Sequence, residues 1–238
     1  SIIRKIVWKL FPWSRRQRKI YFSKQDLSPR IINPLLAYVD ELQLNRKLVK
    51  IESQFGKAAQ LDFADRQIEV GADDKVILAL DSKAYNRLTG GEPFDYNGII
   101  NVFYRTSQKL TLPEDASLMG IADGLADWIF INDDIVNVTI SDSGQKNDDL
   151  DGLARKIWKQ LDKLRGVNSG FVPPFKVINY KIATIRQDAA NNNKRPKNAK
   201  TVYPNVFIAG DWTMKNYPCS LETAILSAKR AVKTARKS

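Results

Sequence analysis

A short apolar stretch near the carboxyl end of the chain ends on a glycine and a carboxylate. The sequence NVFIAGDW runs from Asn205 to Trp212, and the apolar residues 206–209 indicate a buried strand. Gly210 would let a ligand approach the backbone, and Asp211 would accept hydrogen bonds from a sugar or ribityl hydroxyl. A Gly-Asp pair also fits a plain exit from a strand into a loop, so these two residues alone leave both interpretations open.

The helix predicted just after this strand is a second candidate binding element. It begins near residues 218–220, and its first turn would offer N–H groups and a positive dipole end to a phosphate or an anionic ring. Ligands of parallel α/β sheets bind at the carboxyl ends of strands, where such helices begin. Helical spacing predicts that the inward face of this helix consists of Leu221, Ala224, Ile225, Ala228, Val232 and Ala235.

The composition restricts the chemistry that the chain could perform. It has no histidine and one cysteine, Cys219, which excludes Ser-His and Cys-His nucleophile pairs and a Cys/His zinc site. No tight acidic cluster argues for Mg²⁺, so we predict no metal site. We assign no catalytic side chain, because an enzyme of this composition would leave the difficult chemistry to a cofactor. The lone cysteine fits a reducing compartment.

The elements that must position this site follow a mixed α and β pattern. We predict a helix over residues 31–42 and then a three-stranded meander. The apolar run at 75–80 is typical of a strand buried on both faces in a parallel sheet, and a short helix closed by glycines follows it. The polar stretch 187–204 predicts a loop. Separate strands at 98–106, 118–122, 126–132, 135–143 and 175–186 predict an antiparallel sheet, with an amphipathic helix over residues 150–164.

The charge of the chain is strongly positive and is concentrated at its start. The net charge of +12 predicts attraction to polyanions such as nucleic acid, an acidic membrane surface or a phosphorylated cofactor. Residues 1–22 contain seven Lys and Arg, no acid and five aromatic residues. Their apolar spacing predicts an amphipathic helix that Pro12 ends, and three interpretations stay open: a membrane-surface helix, an ordinary surface helix, or nucleic-acid binding.

The whole pattern from residue 209 onward is more specific than its parts. The stretch AGDWTMKNYPCSLETAILSAKRAV (209–232) resembles the C-terminal motif of FAD-dependent amine oxidases and carotenoid desaturases. It is most similar to the squalene-associated, phytoene desaturase-like subgroup that includes hydroxysqualene dehydroxylase. Softer matches, among them DDKVILALDSKAYNRL and the pair Arg195-Pro196, extend the resemblance over residues 30–235. Thr223 and Ala228 depart from the family pattern, which has glycines there.

This resemblance implies an α+β / α/β fold and a set of cofactor contacts. Residues 30–82 and 200–238 would form the C-terminal part of a Rossmann-like FAD-binding domain with a β-meander. An antiparallel substrate domain at 83–199 would interrupt it, after a basic aromatic arm at 1–29. The contacts with FAD would include Gly210 and Asp211 at the ribityl and phosphate groups, their neighbour Trp212, Pro218, Ser220 and Glu222 near the isoalloxazine, and Leu48 at the adenine. The inward faces of the strands at 99–104, 128–131 and 136–140 would line a tunnel for an apolar isoprenoid chain, although we expect most of these positions to be simple domain core.

The motif that grips the FAD pyrophosphate in this family, GxGxxG, does not occur in the sequence. We therefore expect the chain to correspond to the part of the family that begins midway, and to be inactive and a poor binder of FAD when alone. Three explanations stay open: half of a split flavoenzyme completed by a GxGxxG-bearing polypeptide, a truncated gene product, or a scaffold kept for binding.

The resemblance also implies a reaction and a location. The expected function is hydride transfer at the flavin on isoprenoid hydrocarbons of the squalene, hydroxysqualene or phytoene type. The expected location is cytoplasmic and peripheral, with residues 1–22 on an anionic inner membrane face. We expect no specific nucleic-acid binding, because charge alone suggests it and no recognised motif supports it.

Overall fold

The computed structural model of the protein describes residues 28–107, 110–141 and 149–238, apart from the side chain of Glu114. The predicted basic arm lies outside these residues, except for its last two. The described chain divides into two compact units, residues 28–94 with 187–238 and residues 95–186. The functional domain limits at residues 82/83 and 199/200 remain predictions.

The first unit opens with helical turns that are shorter than the helix we predicted over 31–42. A π-helical turn, Ser28–Ile32, leads into helix α1, Asn33–Leu36, and the chain is irregular from there to the first strand. The predicted helix is wrong at its carboxyl end, because the observed helix ends at Leu36 and not at residue 42. Leu35 and Tyr38 stay exposed, and a helix without a packed apolar face is marginal beyond a turn or two.

The predicted meander is confirmed. Strands β1 (Leu48–Gln54), β2 (Lys57–Phe63) and β3 (Gln67–Glu69) form an antiparallel sheet in sequence order.

A parallel pair of strands carries the predicted site. Strand β4 (Val76–Leu78) lies parallel to β10 (Val206–Ile208), as the sequence predicted. Burial on both faces holds for β10 but is wrong for β4, because Ile77 is 39% exposed. The Asn205 side chain joins this pair to the meander: its Nδ2 donates to Ala58 O (2.8 Å), and its Oδ1 accepts from Ala58 N (3.0 Å).

Two short helices lie between β4 and β10 in the sequence, one soon after β4 and one before β10. Helix α2 (Ser82–Thr89) begins at the Asp81 cap and ends at Gly90, as expected for a helix closed by glycines. Helix α4 (Ala189–Lys194) lies where we predicted only loop. That prediction is wrong because the Asp188 side chain accepts a hydrogen bond from Asn191 N (2.8 Å), and this cap starts a helix in a polar, Asn-rich stretch.

Helix α5 (Leu221–Ala235) closes the chain, and its predicted inward face is wrong. The buried residues are small and four positions apart: Thr223, Ser227, Ala231 and Ala235. Of the predicted set, Ala235 alone is buried, whereas Leu221, Ile225, Ala228 and Val232 are exposed. The helix lies close to β10, where Ala231 and Ala235 pack with Phe207, and only small side chains fit between a helix and strand that are so near.

The second unit is an antiparallel sheet with one helix, as predicted. The strand order is β6-β7-β8-β5-β9, all neighbours are antiparallel, and helix α3 (Leu150–Leu164) belongs to the same unit. The strands are β5 (Tyr96–Arg105), β6 (Leu118–Gly120), β7 (Trp128–Asn132), β8 (Ile135–Ser141) and β9 (Phe175–Ile185), with a 3₁₀ turn at Pro113–Asp115.

The inward face of this sheet is a packed core and not a tunnel wall. Val102, Ile129 and Val138 are fully buried and share one cluster with Ile157 and Trp158 of α3. We expected most of these positions to be domain core, and that is confirmed; the expectation that the inward faces also line a tunnel is wrong, because α3 fills the space over them. The opposite face alternates with this core and carries half-buried side chains, including Ile99, Phe103 and Ile178.

Candidate functional site

The turn after β10 is fixed at the carboxyl ends of the parallel strands. Gly210 has φ +144°, and a Cβ there would lie 2.6 Å from Trp212 Nε1, so the position requires glycine. The Gly210 N–H donates to Ser227 Oγ (2.8 Å) of α5. The Trp212 indole donates to Leu80 O (2.9 Å), just beyond β4. The segment that follows β4 is therefore hydrogen-bonded to the turn that follows β10.

The side chain of Trp212 lies in the interior. It is 4% exposed, and its ring packs on Tyr85 (centroids 5.0 Å apart) and Phe94 (5.9 Å). The ring of Trp212, which we predicted as a cofactor contact, therefore supports the turn from the interior. The neighbouring Asp211 is half-buried.

Asp211 begins a short 3₁₀ turn, Asp211–Thr213, that leads toward α5. Its Oδ1 accepts from Trp212 N (2.7 Å), which fixes the carboxylate. Burial raises the pKa of the Cys219 thiol, the charge of Asp211 raises that pKa further, and Arg195 lowers it. The Asp211 carboxylate therefore lies close enough to Cys219, just before α5, to influence the ionisation of its thiol.

Arg195 organises the loop between the 3₁₀ turn and α5, a role that the sequence did not reveal. It is 3% exposed, and one guanidinium nitrogen donates to both Met214 O (2.9 Å) and Tyr217 O (2.7 Å). The other terminal nitrogen contacts Gln187 Oε1 (3.4 Å) and Cys219 Sγ (3.3 Å). An arginine fork is suited to this task because it reaches several acceptors in one plane.

A second anchor of the same loop joins it to α4. Asn192 Nδ2 donates to Asn216 Oδ1 (2.9 Å), and Asn216 N donates to Asn192 Oδ1 (2.8 Å). Asn216 has φ +63°, a conformation that asparagine tolerates better than most residues. The helix that we missed therefore fixes the approach to the predicted site.

The start of α5 is capped by its own side chains. Ser220 Oγ accepts from Thr223 N (3.2 Å) and lies 3.1 Å from Thr223 Oγ1. Thr223, at a position where the resemblance implies a glycine, turns its side chain into the buried side of the helix. Pro218 is half-buried and Glu222 is exposed. The predicted contacts Pro218, Ser220 and Glu222 thus lie together at one helix terminus.

Leu48 lies at a separate cavity of the same unit. The cavity has a volume of about 320 Å³ and is lined by Arg46, Lys47, Leu48, Val49, Leu80, Ala84, Arg87 and Leu88. Leu80 lines this cavity and also accepts the hydrogen bond from Trp212. The structure therefore joins Leu48 and the Gly210 turn through one residue. The basic side chains around the cavity favour an anionic or polar ligand.

Among the residues that the structure describes, no group of three or more His, Cys, Asp or Glu side chains is arranged to hold a metal ion. Within the same residues, no helix is long and apolar enough to cross a membrane.

The chain belongs to the family described as flavin containing amine oxidoreductases, which matches residues 37–235. It is 29% identical over 216 residues to a hydroxysqualene dehydroxylase of Sinorhizobium fredii, covering 88% of this chain and 51% of the relative. It is 30% identical over 213 residues to a hydroxysqualene dehydroxylase of Zymomonas mobilis, covering 87% and 50%. The resemblance read from the AGDW stretch is thereby confirmed, and the family is a flavin family. The chain spans about half the length of these curated relatives.

Solved structures confirm the fold class. A putative protoporphyrinogen oxidase from Exiguobacterium sp. 255-15 superposes with a TM-score of 0.60 at 14% identity, covering 87% of this chain and 51% of that one. An oxidoreductase from Methanosarcina mazei superposes with a TM-score of 0.53 at 13% identity, covering 79% and 49%. At this identity the likeness shows the fold alone. The predicted mixed architecture, a partial flavin-binding domain with an antiparallel sheet domain, is consistent with both.

Proposed function

We propose that this chain is the C-terminal portion of an FAD-dependent oxidoreductase that acts on isoprenoid hydrocarbons. The observation that carries the proposal is the Gly210 turn, which lies at the carboxyl ends of two parallel strands and is hydrogen-bonded to Ser227 of α5. The curated relatives are hydroxysqualene dehydroxylases, so a squalene-like alcohol is the first substrate to test.

The residues of the first unit fit an FAD molecule. Gly210 has no side chain to obstruct the turn, and Asp211 offers an acceptor to a ribityl hydroxyl. The start of α5 presents its dipole and backbone donors. The cavity at Leu48 has an apolar wall, which suits the adenine ring. The GxGxxG motif would come from polypeptide outside this sequence, whether continuous with it or separate.

The chain's own part in the reaction would be binding, orientation and exclusion of water. FAD, when bound, supplies a ring that accepts or donates a hydride. Arg195 would keep the loop 214–217 in place beside the site, and Ser227 would keep α5 close to Gly210. No acid or base of this chain is assigned to the chemistry. Apolar side chains of the sheet face opposite α3, such as Ile99 and Phe103, would contact the isoprenoid chain.

The test of this proposal is flavin binding by the chain alone and with a second polypeptide. The second polypeptide is the one encoded directly upstream in the same genome, expressed separately. We expect little flavin absorbance for the chain alone and a stoichiometric flavin spectrum for the mixture. Tight, stoichiometric flavin in the chain alone would contradict the proposed incomplete site.

A pair of variants tests the site itself. Asp211→Asn should weaken FAD binding by the mixture by about tenfold, because a charged acceptor is lost. Glu69→Gln removes an exposed carboxylate on β3 and should leave the affinity unchanged. Equal affinity of both variants would remove Asp211 from the site.

Peripheral membrane binding through residues 1–22 is a separate part of the proposal. Seven cations and five aromatic residues without an acid suit an anionic lipid surface, where a squalene-like substrate resides. Deletion of residues 1–22 should abolish co-sedimentation with vesicles that contain anionic lipid. Unchanged sedimentation of the deletion variant would count against membrane docking by this segment.

A further inference from the structure

The face of the antiparallel sheet opposite α3 carries three polar side chains within an apolar surface. In β5 the residues of this face are Ile99, Asn101 and Phe103, which are half-buried and alternate with the buried residues of the α3 face. In β8 the corresponding half-buried residues include Asn137 and Thr139. We name Asn101, Asn137 and Thr139 the polar patch.

The register of the strands surrounds the polar patch with apolar side chains. Asn137 lies directly between Phe130 of β7 and Phe103 of β5. In the neighbouring row, Asn101 lies opposite Ile178 of β9. The solvated face of an antiparallel sheet is normally polar throughout. The aromatic and aliphatic neighbours of the polar patch instead favour contact with a hydrocarbon chain.

The members of the polar patch are only partly satisfied by one another. Thr139 Oγ1 donates a hydrogen bond to Asn101 Oδ1 (2.8 Å) across the two strands. Asn137 Oδ1 is buried and has no hydrogen-bond partner among the described residues. Buried polar atoms normally have a partner, because an unpaired one costs free energy. Rotation of the Asn137 amide about its last torsion angle exchanges its oxygen and nitrogen, so either atom can turn toward a ligand.

A single hydroxyl group matches this arrangement. A hydroxyl donates one hydrogen bond and accepts two, and a side-chain amide offers both a donor and an acceptor. Directly opposite residues of antiparallel strands have Cβ atoms about 4.5–5.5 Å apart, and diagonal neighbours lie about 7–8 Å apart. Asn101 and Thr139 are opposite, and Asn137 is diagonal to Asn101, so one small group can reach them together. Because all three side chains are neutral, a neutral hydroxyl suits them better than a charged group.

We propose that the polar patch binds the hydroxyl of an isoprenoid alcohol and so selects the alcohol over the corresponding hydrocarbon. The inference rests on the proposed function, in which the isoprenoid chain contacts this face of the sheet. Apolar neighbours such as Ile99 and Phe103 contact both ligands and do not distinguish them. A hydrocarbon over the polar patch would leave its amides unpaired and away from water, whereas an alcohol pairs with them. Asn101, Asn137 and Thr139 are therefore specificity-determining residues, and no acid or base role is assigned to them.

The experiment compares the Kd of hydroxysqualene and of squalene, presented at equal mole fraction in detergent micelles. It uses the full chain, alone and together with the polypeptide encoded directly upstream in its genome. We expect the unchanged chain to bind the alcohol about tenfold more tightly than the hydrocarbon. No preference for the alcohol in either preparation, including no measurable binding at all, would overturn the inference.

A matched pair of variants locates the preference in the polar patch. Asn137→Leu keeps a side chain of similar size and should raise the Kd of hydroxysqualene by about tenfold, without raising that of squalene. Asn179→Leu makes the same change on the other face of the same sheet, where Asn179 lies opposite Ile100 and its Oδ1 is also unpaired. It should leave both Kd values unchanged. Equal Kd values of hydroxysqualene for the two variants would contradict a role for Asn137.

A double variant removes a complete hydrogen-bonded pair. Asn101→Leu/Thr139→Val replaces both partners of the 2.8 Å bond with apolar groups, so neither partner is left unpaired in the folded chain. The Kd of hydroxysqualene should rise by about tenfold and that of squalene should not rise. An equal rise for both ligands would mean that the whole face is damaged, and would overturn the assignment of these residues to the hydroxyl.

A measurement on the unchanged chain keeps the inference testable if the variants misfold. NMR signals of the side-chain amides report hydrogen bonding at Asn101 and Asn137 directly. Hydroxysqualene should shift the signals of both amides, and squalene should shift them less. Identical shifts with the two ligands would overturn the inference.

Two further results separate this inference from the proposed function. If the upstream polypeptide abolishes the binding of both ligands to the chain, that polypeptide covers the polar patch and the inference fails. If the mixture binds hydroxysqualene through the polar patch but holds no flavin, the proposed function fails and the hydroxyl site stands.

Discussion

Helices α3 and α5 are both fifteen residues long and amphipathic, yet they bury opposite kinds of side chain. Helix α3 buries Ile157, Trp158 and Leu161 in the core of the second unit. Helix α5 buries a stripe of small residues, among them Ser227 and Ala231, and leaves its large apolar side chains exposed.

The two helices differ in role: α3 mainly stabilises its unit, whereas α5 mainly positions the turn after β10. The large side chains of α3 remove much apolar surface from water and stabilise the second unit. The small side chains of α5 contribute less burial, but they let the helix approach β10 so closely that Ser227 Oγ bonds to Gly210 N. Small buried residues therefore suit a helix that must lie close to the turn after β10.

The largest expected effect is on the α3 side of the comparison. Trp158 is 4% exposed and packs on Tyr104, with ring centroids 4.9 Å apart. Trp158→Ala should lower the free energy of unfolding by about 3–5 kcal/mol in a denaturant titration, because it leaves a cavity. Trp158→Phe keeps a ring and loses an indole N–H that has no hydrogen-bond partner, so it should cost far less. Equal losses for both variants would contradict the cavity explanation.

The next prediction tests the close approach of α5. Ser227→Leu forces a large side chain between the helix and β10 and removes the bond to Gly210, so it should cost about 1–3 kcal/mol of stability. Ala228→Leu makes a similar enlargement one residue away on the exposed side and should be nearly neutral. Denaturant unfolding of both variants measures the two changes in the free energy of unfolding. A neutral Ser227→Leu would show that α5 does not depend on small residues.

The turn that α5 reaches should be sensitive to any side chain at Gly210. Gly210→Ala combines an unfavourable φ of +144° with a contact of 2.6 Å to Trp212 Nε1, and should cost about 1–3 kcal/mol. Gly56→Ala meets no atom within 4 Å at φ +76°, closer to the left-handed region that other residues tolerate, so it should cost less. Thermal unfolding of the two variants measures this difference. A larger cost for Gly56→Ala would contradict the combined strain and contact assigned to Gly210.

The smallest effect concerns Cys219, next to the start of α5. Burial and then Asp211 raise the pKa of its thiol, so Asp211→Asn should lower that pKa and speed alkylation by iodoacetamide at pH 8. The raised folded pKa means that this thiol contributes stability below its unfolded pKa and loses it as the pH rises through the folded pKa. Glu69→Gln, on β3, should not change the alkylation rate. A slower reaction in Asp211→Asn would reverse the assigned sign.

The sequence predicted those elements whose patterns depend on neighbours in the chain. The meander, the parallel pair, the antiparallel sheet and helix α3 follow from alternation, apolar runs and helical spacing. Helix α4 was missed because its stability comes from the Asp188 cap and from the Asn192–Asn216 pair, which apolar spacing does not reveal. The role of Arg195 was missed because its acceptors are backbone carbonyls of a distant loop.

The sequence by itself determined the family, since Gly210, Asp211, Ser220 and Glu222 stand at the spacing of a motif that is read along one chain. Tertiary structure alone decided which face of α5 is buried. Helical spacing identifies an apolar stripe but not the distance to the surface it meets, and β10 lies so close that only small residues fit. The large residues that spacing assigned to the core are exposed for the same reason.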